Sequence, residues 1–473
     1  MPDTLQSTDD TSPSRSPVSG VDSAAQAGRS FWQEAQAGHV RRTRRGVRTE
    51  FPAYLSVQTA WFMAFGMQVV LYPHLITNRL QLNGTELGIA QLALAAPSVV
   101  FLLFGGVLAE RASGKTLLFI FHLLASLPAL GLGYAMTAGV LNYPMVVAYG
   151  LGLGIVGAFM MPARDAVLNE VVGRRSRIGS GVTLQQAVAF SVLAQFAAQI
   201  IGILIAGYAD RAPLFLAGWV DDADSVVIHS WMLMLVQGGI LAAGAIFALS
   251  LARGRRVRTG RNGIGAAFGD IAEGFRAVNA KPELWAMTIL MFGVGVLVIG
   301  SFLTVLPIIN REEYNGGSDG LREMFLSFWI GAFISSVAMS AIKKVKRPGQ
   351  VLLISQLAGS AVIVVFFFKV PWVAFLSAIF VGGLSAGVSI TMSRAIVQDA
   401  APRDQLARVL SIYQLGFMAG TPIGAAVMGA LTDVVGHNWI AAFPVTGMAL
   451  LIAWVLLKTP IWTMRNGVKP AAH

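Results

Sequence analysis

The sequence predicts an all-α polytopic membrane protein of twelve transmembrane helices in two six-helix halves. Three observations carry this expectation. Apolar residues fill 55% of the 473 positions and charged residues only 12%, against about 25% charged in a soluble domain, and mean hydropathy is +0.65. From residue 51 onward, apolar runs of roughly 18 to 27 residues alternate with short polar breaks. At about 1.5 Å rise per residue, each run crosses a hydrocarbon core of about 30 Å. Finally, the basic residues gather on alternate loops.

The elements follow in order. Residues 1–50 form a polar tail whose first 28 positions, rich in Ser, Asp, Ala and Pro, are expected to be disordered. No cleavable signal peptide is evident in it. Arg41, Arg42, Arg44, Arg45 and Arg48 close the tail; such a cluster suits anionic membrane lipids at about 1 kcal/mol per charge, or acts only as a topology signal. Helices are predicted at 51–77, 87–108, 116–137, 144–163, 181–207 and 231–251 in a first half spanning 51–251. A cytoplasmic linker at 252–282 begins Arg253-Gly-Arg-Arg-Val-Arg258. The second half, 283–458, holds helices at 284–309, 324–342, 350–368, 371–393, 409–431 and 438–457, before a short tail at 459–473.

Charge tests this count. With a cytoplasmic amino terminus, thirty of the 35 Lys and Arg residues fall inside, leaving Arg79, Arg211, Arg311, Arg322 and Lys369 outside. Basic residues hold cytoplasmic loops in place, so both termini are expected in the cytoplasm. The same asymmetry accounts for the net charge of +11 without a nucleic-acid partner. The chain has no Cys, which excludes disulfides and thiolate metal sites. It also lacks the zinc-protease, serine-hydrolase and nucleotide-binding signatures. Ala112-Ser-Gly-Lys-Thr116 has the end of the last of these, but the required first glycine is missing. No enzyme activity, metal or cofactor is expected.

The halves echo each other. Met161-Pro-Ala-Arg164 ends the fourth helix and Thr391-Met-Ser-Arg394 the tenth, while Gly202 and Gly207 repeat the spacing of Gly424 and Gly429. Parallel duplication of this kind builds several transporter families.

Gly106-Val-Leu-Ala-Glu110-Arg111-Ala-Ser-Gly-Lys115 resembles the loop signature Gly-x-Leu-Ala-Asp-Arg-x-Gly-Arg-Lys of the major facilitator superfamily. Glu110 replaces the usual Asp and Ser113 the second Gly. The corresponding loop of the second half, Lys343-Lys-Val-Lys-Arg-Pro348, keeps the positive charge and lacks the acidic residue. Pro162-Ala-Arg164-Asp-Ala-Val-Leu-Asn-Glu170-Val-Val is similar to a stretch of that superfamily's efflux branch, which includes enterobactin exporters and macrolide pumps, with lysophospholipid transporters more distant. Gly420-Thr-Pro422-Ile-Gly424 looks like a Gly-Pro element of the same proteins, whereas Ala198-Gln-Ile-Ile-Gly202 lacks the Pro.

The resemblance implies the major facilitator fold and a secondary transporter of the bacterial inner membrane. It would be a monomer exporting a small-molecule or lipid-like substrate, as an antiporter if protons drive it. A lipid translocator of the same fold and a non-transporting assembly factor docked through the arginine-rich tail are the alternatives. The resemblance also implies a conformational latch at Gly106, Glu110 and Arg111, with Arg164, Asp165, Arg394 and Asp399 at the repeat positions. A carboxylate facing a helix amino end is worth about 0.3–1 kcal/mol when exposed.

None of the predicted helices has Asp, Glu, Lys or Arg in its interior. A mid-membrane charge costs about 2.5–3.5 kcal/mol and marks a functional position where it occurs, so a strongly charged substrate would find no counter-charge here. Amides, hydroxyls, aromatics and Met remain. Gln58, Trp61, Phe65 and Gln68 recur at helical spacing on one face. Gln195, Gln199, Met291, Phe292, Ser385, Ser389 and Gln414 are further candidates to line a cavity. Such a lining suits neutral or amphiphilic solutes. Polar residues in membrane helices also serve as interhelical glue, worth about 0.6 kcal/mol on average, so both roles stay open. His74 and His122 are the titratable groups near neutrality within the helices. For proton coupling the candidates are His74 and the helix-end carboxylates Glu86, Asp165 and Asp210, with Glu283 a further one.

Overall fold

The computed structural model describes residues 49–177, 184–210, 228–252, 264–342, 345–402 and 405–464, without the side chains of 102–111 and a few others. The expected disordered tail with its arginine cluster, and the end of the carboxy-terminal tail, lie outside the described residues.

The first half comprises α1 (Thr49–Arg79), α2 (Gly84–Arg111), α3 (Gly114–Thr137), α4 (Tyr143–Arg177), α5 (Leu184–Ala206) and α6 (Ser230–Ala248). A separate helix, α7 (Ile264–Asn279), occupies the linker. The second half comprises α8 (Pro282–Glu312), α9 (Ser318–Ala341), α10 (Pro348–Ile363), α11 (Trp372–Ala400), α12 (Leu406–Val435) and α13 (Trp439–Lys458). Among the described residues, eleven helices are long and apolar enough to cross a membrane. The twelfth, α10, has 16 residues and gains length from the 3₁₀ turn Val364–Phe367 that continues it. Pro348 fixes its start, because a proline needs no hydrogen-bond partner in the first helical turn.

Several helices outrun their predicted bounds. α2 continues to Arg111, α4 to Arg177 and α11 to Ala400, so Arg111, Arg164, Asp165, Arg394 and Asp399 stand on helices and not in loops. Hydropathy marks only the lipid-facing stretch; beyond it, good helix formers such as Arg, Glu, Ala and Leu continue the backbone ladder. Hydropathy also passes over α7, which is amphipathic. Ala277 and Val278 are buried while Phe275 and Arg276 are exposed, and Glu273 holds Arg408 of α12 at 3.1 Å.

Packing repeats between the halves. α2 lies along α4 as α9 lies along α11, and α3 packs on α4 as α10 packs on α11. The buried apolar side chains form one cluster centred on residues 51–251 and two drawn from residues 277–461. The halves meet where α2 packs on α12 and α5 on α9. The first contact is backbone to backbone. A β-carbon on Gly88 would lie 2.5 Å from the Ala425 carbonyl oxygen, and one on Gly84 would lie 2.6 Å from that of Gly429. Small residues allow this approach where lipid offers no hydrophobic drive to associate.

Candidate functional site

Between the halves lies a cavity of about 560 Å³, within the roughly 300–1,000 Å³ range of ligand sites. It is lined by α1, α2, α4 and α6 on one side and by α8 to α12 on the other. Phe65, Phe302, Phe328, Trp329, Met291 and Met418 give much of its wall, and among the described residues none that lines it bears a formal charge. The α8 wall includes Val294, Val298 and Ile299, which belong to a π-helical stretch, Val294–Ile299. Such wide turns re-aim side chains and recur at functional sites.

The polar lining residues divide into engaged and free. Ser301 donates to Leu297 O at 2.7 Å and Ser98 to Ala95 O at 2.6 Å, each on its own helix. Tyr72 donates to Ala90 O at 2.9 Å, and Ser389 shares a 3.1 Å bond with Ser355. Gln237 is used at both ends, donating to Ala64 O and accepting from Tyr149, each at 2.8 Å. By contrast, Gln68, Gln91 and Ser385 have no hydrogen-bond partner among the described residues. Gln356 Nε2 and Trp61 Nε1 are buried donors without an acceptor.

Of the residues expected at a cavity, the structure brings together Trp61, Phe65, Gln68, Met291, Ser385 and Ser389. Five others do not line it. Gln58 is buried and donates to Ser191 O, tying α1 to α5. Gln199 is buried where α5 crosses Gly66 of α1, and Gln195 is half-buried on the same helix. Phe292 and Gln414 are exposed. Each follows a buried residue, Met291 or Tyr413, by one position, and one helical step of about 100° turns it away. Sequence reasoning missed Gln91, Gln237 and Gln356. The available signal was an isolated amide in an otherwise apolar stretch.

The end of the bundle expected outside from the charge asymmetry, hereafter the outer end, is closed by bonds between the halves. Asp433 at the end of α12 accepts from Gly84 N at 2.8 Å and Thr85 N at 2.7 Å, and also from the Thr85 hydroxyl. Glu86 accepts from Asn83 N at 3.1 Å within its own helix end. The first orphan N–H groups of α2 are therefore satisfied partly from the other half. Arg311 donates to Leu82 O at 2.7 Å and Thr77 O at 2.8 Å. Asn78 donates to Gly316 O at 3.0 Å, and Ser318 to Ala209 O at 2.6 Å and Gly207 O at 3.1 Å.

Two of the expected proton-coupling residues meet beside these bonds. His74 Nε2 lies 3.1 Å from Asp210, with Arg79 at 3.7 Å and Ser230 N donating at 3.0 Å. Asp210, in a left-handed backbone conformation with φ of 58°, also bonds to Ile228 O through its own N–H at 2.7 Å. Partial burial pushes its carboxyl up, but hydrogen bonds from His74 and Ser230 and the charge of Arg79 outweigh this and hold it well below the usual carboxylate range. The second half has a counterpart: Glu313 accepts from His437 at 2.7 Å, with Lys369 at 3.8 Å. The His437 bond, against a smaller effect of burial, lowers the Glu313 carboxyl as well.

Glu86 and Asp165 are not in these clusters. Glu86 caps α2. Asp165 pairs at 2.8 Å with its neighbour Arg164, whose guanidinium lies over the Phe62 ring at 5.2 Å. Arg394 and Asp399 are exposed and form no ion pair with each other. Gly106, Glu110 and Arg111 are described only in their helical backbone, and the side chains of Glu110 and Arg111 lie outside the described part. Glu283 is half-buried in the first turn of α8. His122 has its two ring nitrogens at 2.8 Å from Leu118 O and 3.1 Å from Val57 O, away from the cavity lining.

Comparison with known proteins places this arrangement. The Major Facilitator Superfamily profile matches residues 54–368 and 341–471. The enterobactin exporter EntS of Shigella flexneri is 24% identical over 422 residues, covering 88% of this chain and 93% of the relative. EntS of Escherichia coli is 23% identical over 421 residues, with the same coverage. Among solved structures, the nucleoside transporter NupG superposes with a TM-score of 0.67 at 12% identity, over 86% of this chain and 98% of that one. A bacterial homologue of the human lysosomal transporter Spinster, inward-facing and unoccupied, gives a TM-score of 0.65 at 13% identity, over 90% and 99%. The two structural likenesses bear on fold alone.

Proposed function

Because the chain belongs to the Major Facilitator Superfamily, we propose that it exports a small neutral or amphiphilic solute across the bacterial inner membrane by alternating access, with both termini in the cytoplasm. One observation carries the solute class: the cavity between the halves is aromatic, rich in Met and without formal charge. A charged solute would lose its hydration there without gaining a counter-ion. Export as the direction is supported by similarity to EntS along most of the chain. The thirty-to-five charge asymmetry supports the orientation. With the outer end bonded shut, the cavity would load from the cytoplasm; parting of α2 from α12 and of α5 from α9 would release its content outside.

The coupling ion in this reading is a proton, and the His74–Asp210 pair is its station. Asp210 is next to Ala209, whose carbonyl accepts the Ser318 bond, and Arg79 is next to Asn78, which bonds Gly316. Opening the outer end would loosen the pair and expose its carboxylate and imidazole to protons from outside. In proteoliposomes containing the full chain, an imposed pH gradient should drive uptake of radiolabelled chloramphenicol or of Nile red, both uncharged aromatic probes, and Asp210→Asn should abolish that dependence. Flux indifferent to the gradient in the wild type rejects the proton. Movement of fluorescent lysolipid, with neither probe moved, favours a lipid translocator instead.

A further inference from the structure

Resting on the reading of the cavity as the transport site, we infer that Gln68 and Gln91 in the first half, with Gln356 and Ser385 in the second, are the specificity-determining residues. The substrate they select is an uncharged aromatic molecule that presents hydrogen-bonding groups to both halves at once.

These four side chains belong to residues only 7%, 6%, 5% and 8% exposed, and all four line the cavity. Gln356 Nε2 is sealed from solvent without a partner, an arrangement that costs free energy, is uncommon in native proteins and calls for an explanation. Gln68, Gln91 and Ser385 present their polar groups to the cavity without a protein partner among the described residues. Elsewhere in the same cavity the polar groups are paired. Ser98, Ser301 and Ser389, together with Tyr72 and Gln237, are satisfied by backbone or by another side chain. The free groups are therefore a selected subset and not a general property of the wall. Trp61 Nε1 and Gln356 Nε2, buried donors with no acceptor, add to the same demand.

The distribution matters as much as the count. Gln68 and Gln91 come from α1 and α2, and Gln356 and Ser385 from α10 and α11. A ligand held from one wall only would be bound equally well whatever the halves do. A ligand bonded to both walls favours the arrangement in which they stand close, and only such differential binding shifts a conformational equilibrium. Each amide supplies an acceptor and two donors, so the partner needs groups of both kinds. Phe65 on one side and Phe302, Phe328 and Trp329 on the other provide faces for an aromatic ring. A site built to hydrogen-bond a substrate rejects analogues lacking the group far more strongly than an apolar pocket rejects a missing methylene.

The test is binding to the purified full-length protein, read by equilibrium binding of radiolabelled chloramphenicol, an uncharged aromatic amide with two hydroxyls, and of the permanent cation ethidium. We expect chloramphenicol to bind at least tenfold more tightly than ethidium. Gln68→Leu and Gln356→Leu should each weaken chloramphenicol by about 3–10-fold, while Gln414→Leu, outside the cavity, should not. Thermal unfolding of every variant checks that it is folded. Should a leucine variant fail that check, Gln68→Glu and Gln356→Glu replace it, with a preference shifted toward ethidium by tenfold or more. Chloramphenicol affinity unchanged in folded variants overturns the inference, as does ethidium binding as tightly as chloramphenicol or no binding of chloramphenicol at all. Variant effects as stated, in a wild type that moves neither probe across vesicles, leave the recognition set standing and defeat the transport reading instead.

Discussion

The two places where the halves face each other are built on opposite plans. At the midplane, polar groups from both sides point into a shared space and stay unpaired: Gln68 and Gln91 from one half, Gln356 and Ser385 from the other. At the outer end, polar side chains cross from one half to the other and find partners. In all but one of those bonds, that of the Thr85 hydroxyl to Asp433, one partner is backbone: Gly84 N and Thr85 N for Asp433, Leu82 O and Thr77 O for Arg311, Gly316 O for Asn78, Ala209 O and Gly207 O for Ser318. The midplane is left open to the chemistry of a guest. Apart from the Thr85 hydroxyl, the outer end recognises the course of the main chain, so it closes the same way whatever is inside. Recognition and closure can therefore be changed separately.

The largest effect should come from fixing the outer end covalently. The chain has no native cysteine, so Thr85→Cys with Asp433→Cys, at a contact where the two side chains now meet at 2.5 Å, gives a cross-link free of background. Oxidation should stop probe transport almost completely while leaving probe binding to the purified protein intact, and reductant should restore transport. Cross-linked protein that still turns over would mean that the outer end need not open. A smaller effect follows from Asp433→Ala, which leaves the first N–H groups of α2 without their acceptor. Losing a carboxylate at a helix amino end, together with three charge-assisted bonds, is worth about 1–2 kcal/mol here, or roughly 5–30-fold in the ratio of closed to open outer ends. Labelling of Ser385→Cys by a membrane-impermeant maleimide from outside should accelerate accordingly; an unchanged labelling rate would remove Asp433 from the closure.

Acidification should give a smaller response. The Asp210 carboxyl is held below its ordinary range, so its contribution to stability is complete above that range, about pH 4, and is lost as pH falls toward its own lowered value. Thermal unfolding in detergent should therefore show wild type losing stability below about pH 4 more steeply than Asp210→Asn. Parallel curves for the two proteins would mean that the contacts of Asp210 contribute nothing to the fold.

How much of this was legible in the sequence follows from what each feature depends on. The absence of charge from the cavity depends on residue type alone, and the apolar runs gave it. The paired glycines were also readable, and the structure supplies their use. Gly202 meets the backbone of Met63 on α1 as Gly424 meets that of Val296 on α8; Gly207 meets Arg322 on α9 as Gly429 meets Gly84 on α2. The direction of a helix face was not readable. Spacing put Gln58 and Gln68 on one side of α1, but over ten residues that side turned from α5 toward the cavity. Helix α7 was hidden because it is too polar for a hydropathy window. The outer closure was hidden for a deeper reason: a carbonyl accepting a bond leaves no mark on the identity of the residue that owns it.

That last point yields the smallest effect, and the one most specific to the comparison. If the outer end reads backbone, the two sides of one bond should respond differently to truncation. Arg311→Ala removes the guanidinium and with it both bonds, to Leu82 O and Thr77 O. Leu82→Ala keeps the carbonyl and loses only part of a half-buried apolar side chain. Arg311→Ala should accelerate outside labelling of Ser385→Cys about 3–10-fold, as expected for hydrogen bonds to a charged group that is partly screened. Leu82→Ala should change it by less than about twofold. Equal acceleration by the two variants would mean that side-chain packing, and not the path of the main chain, holds this end together, and the contrast with the midplane would fail with it.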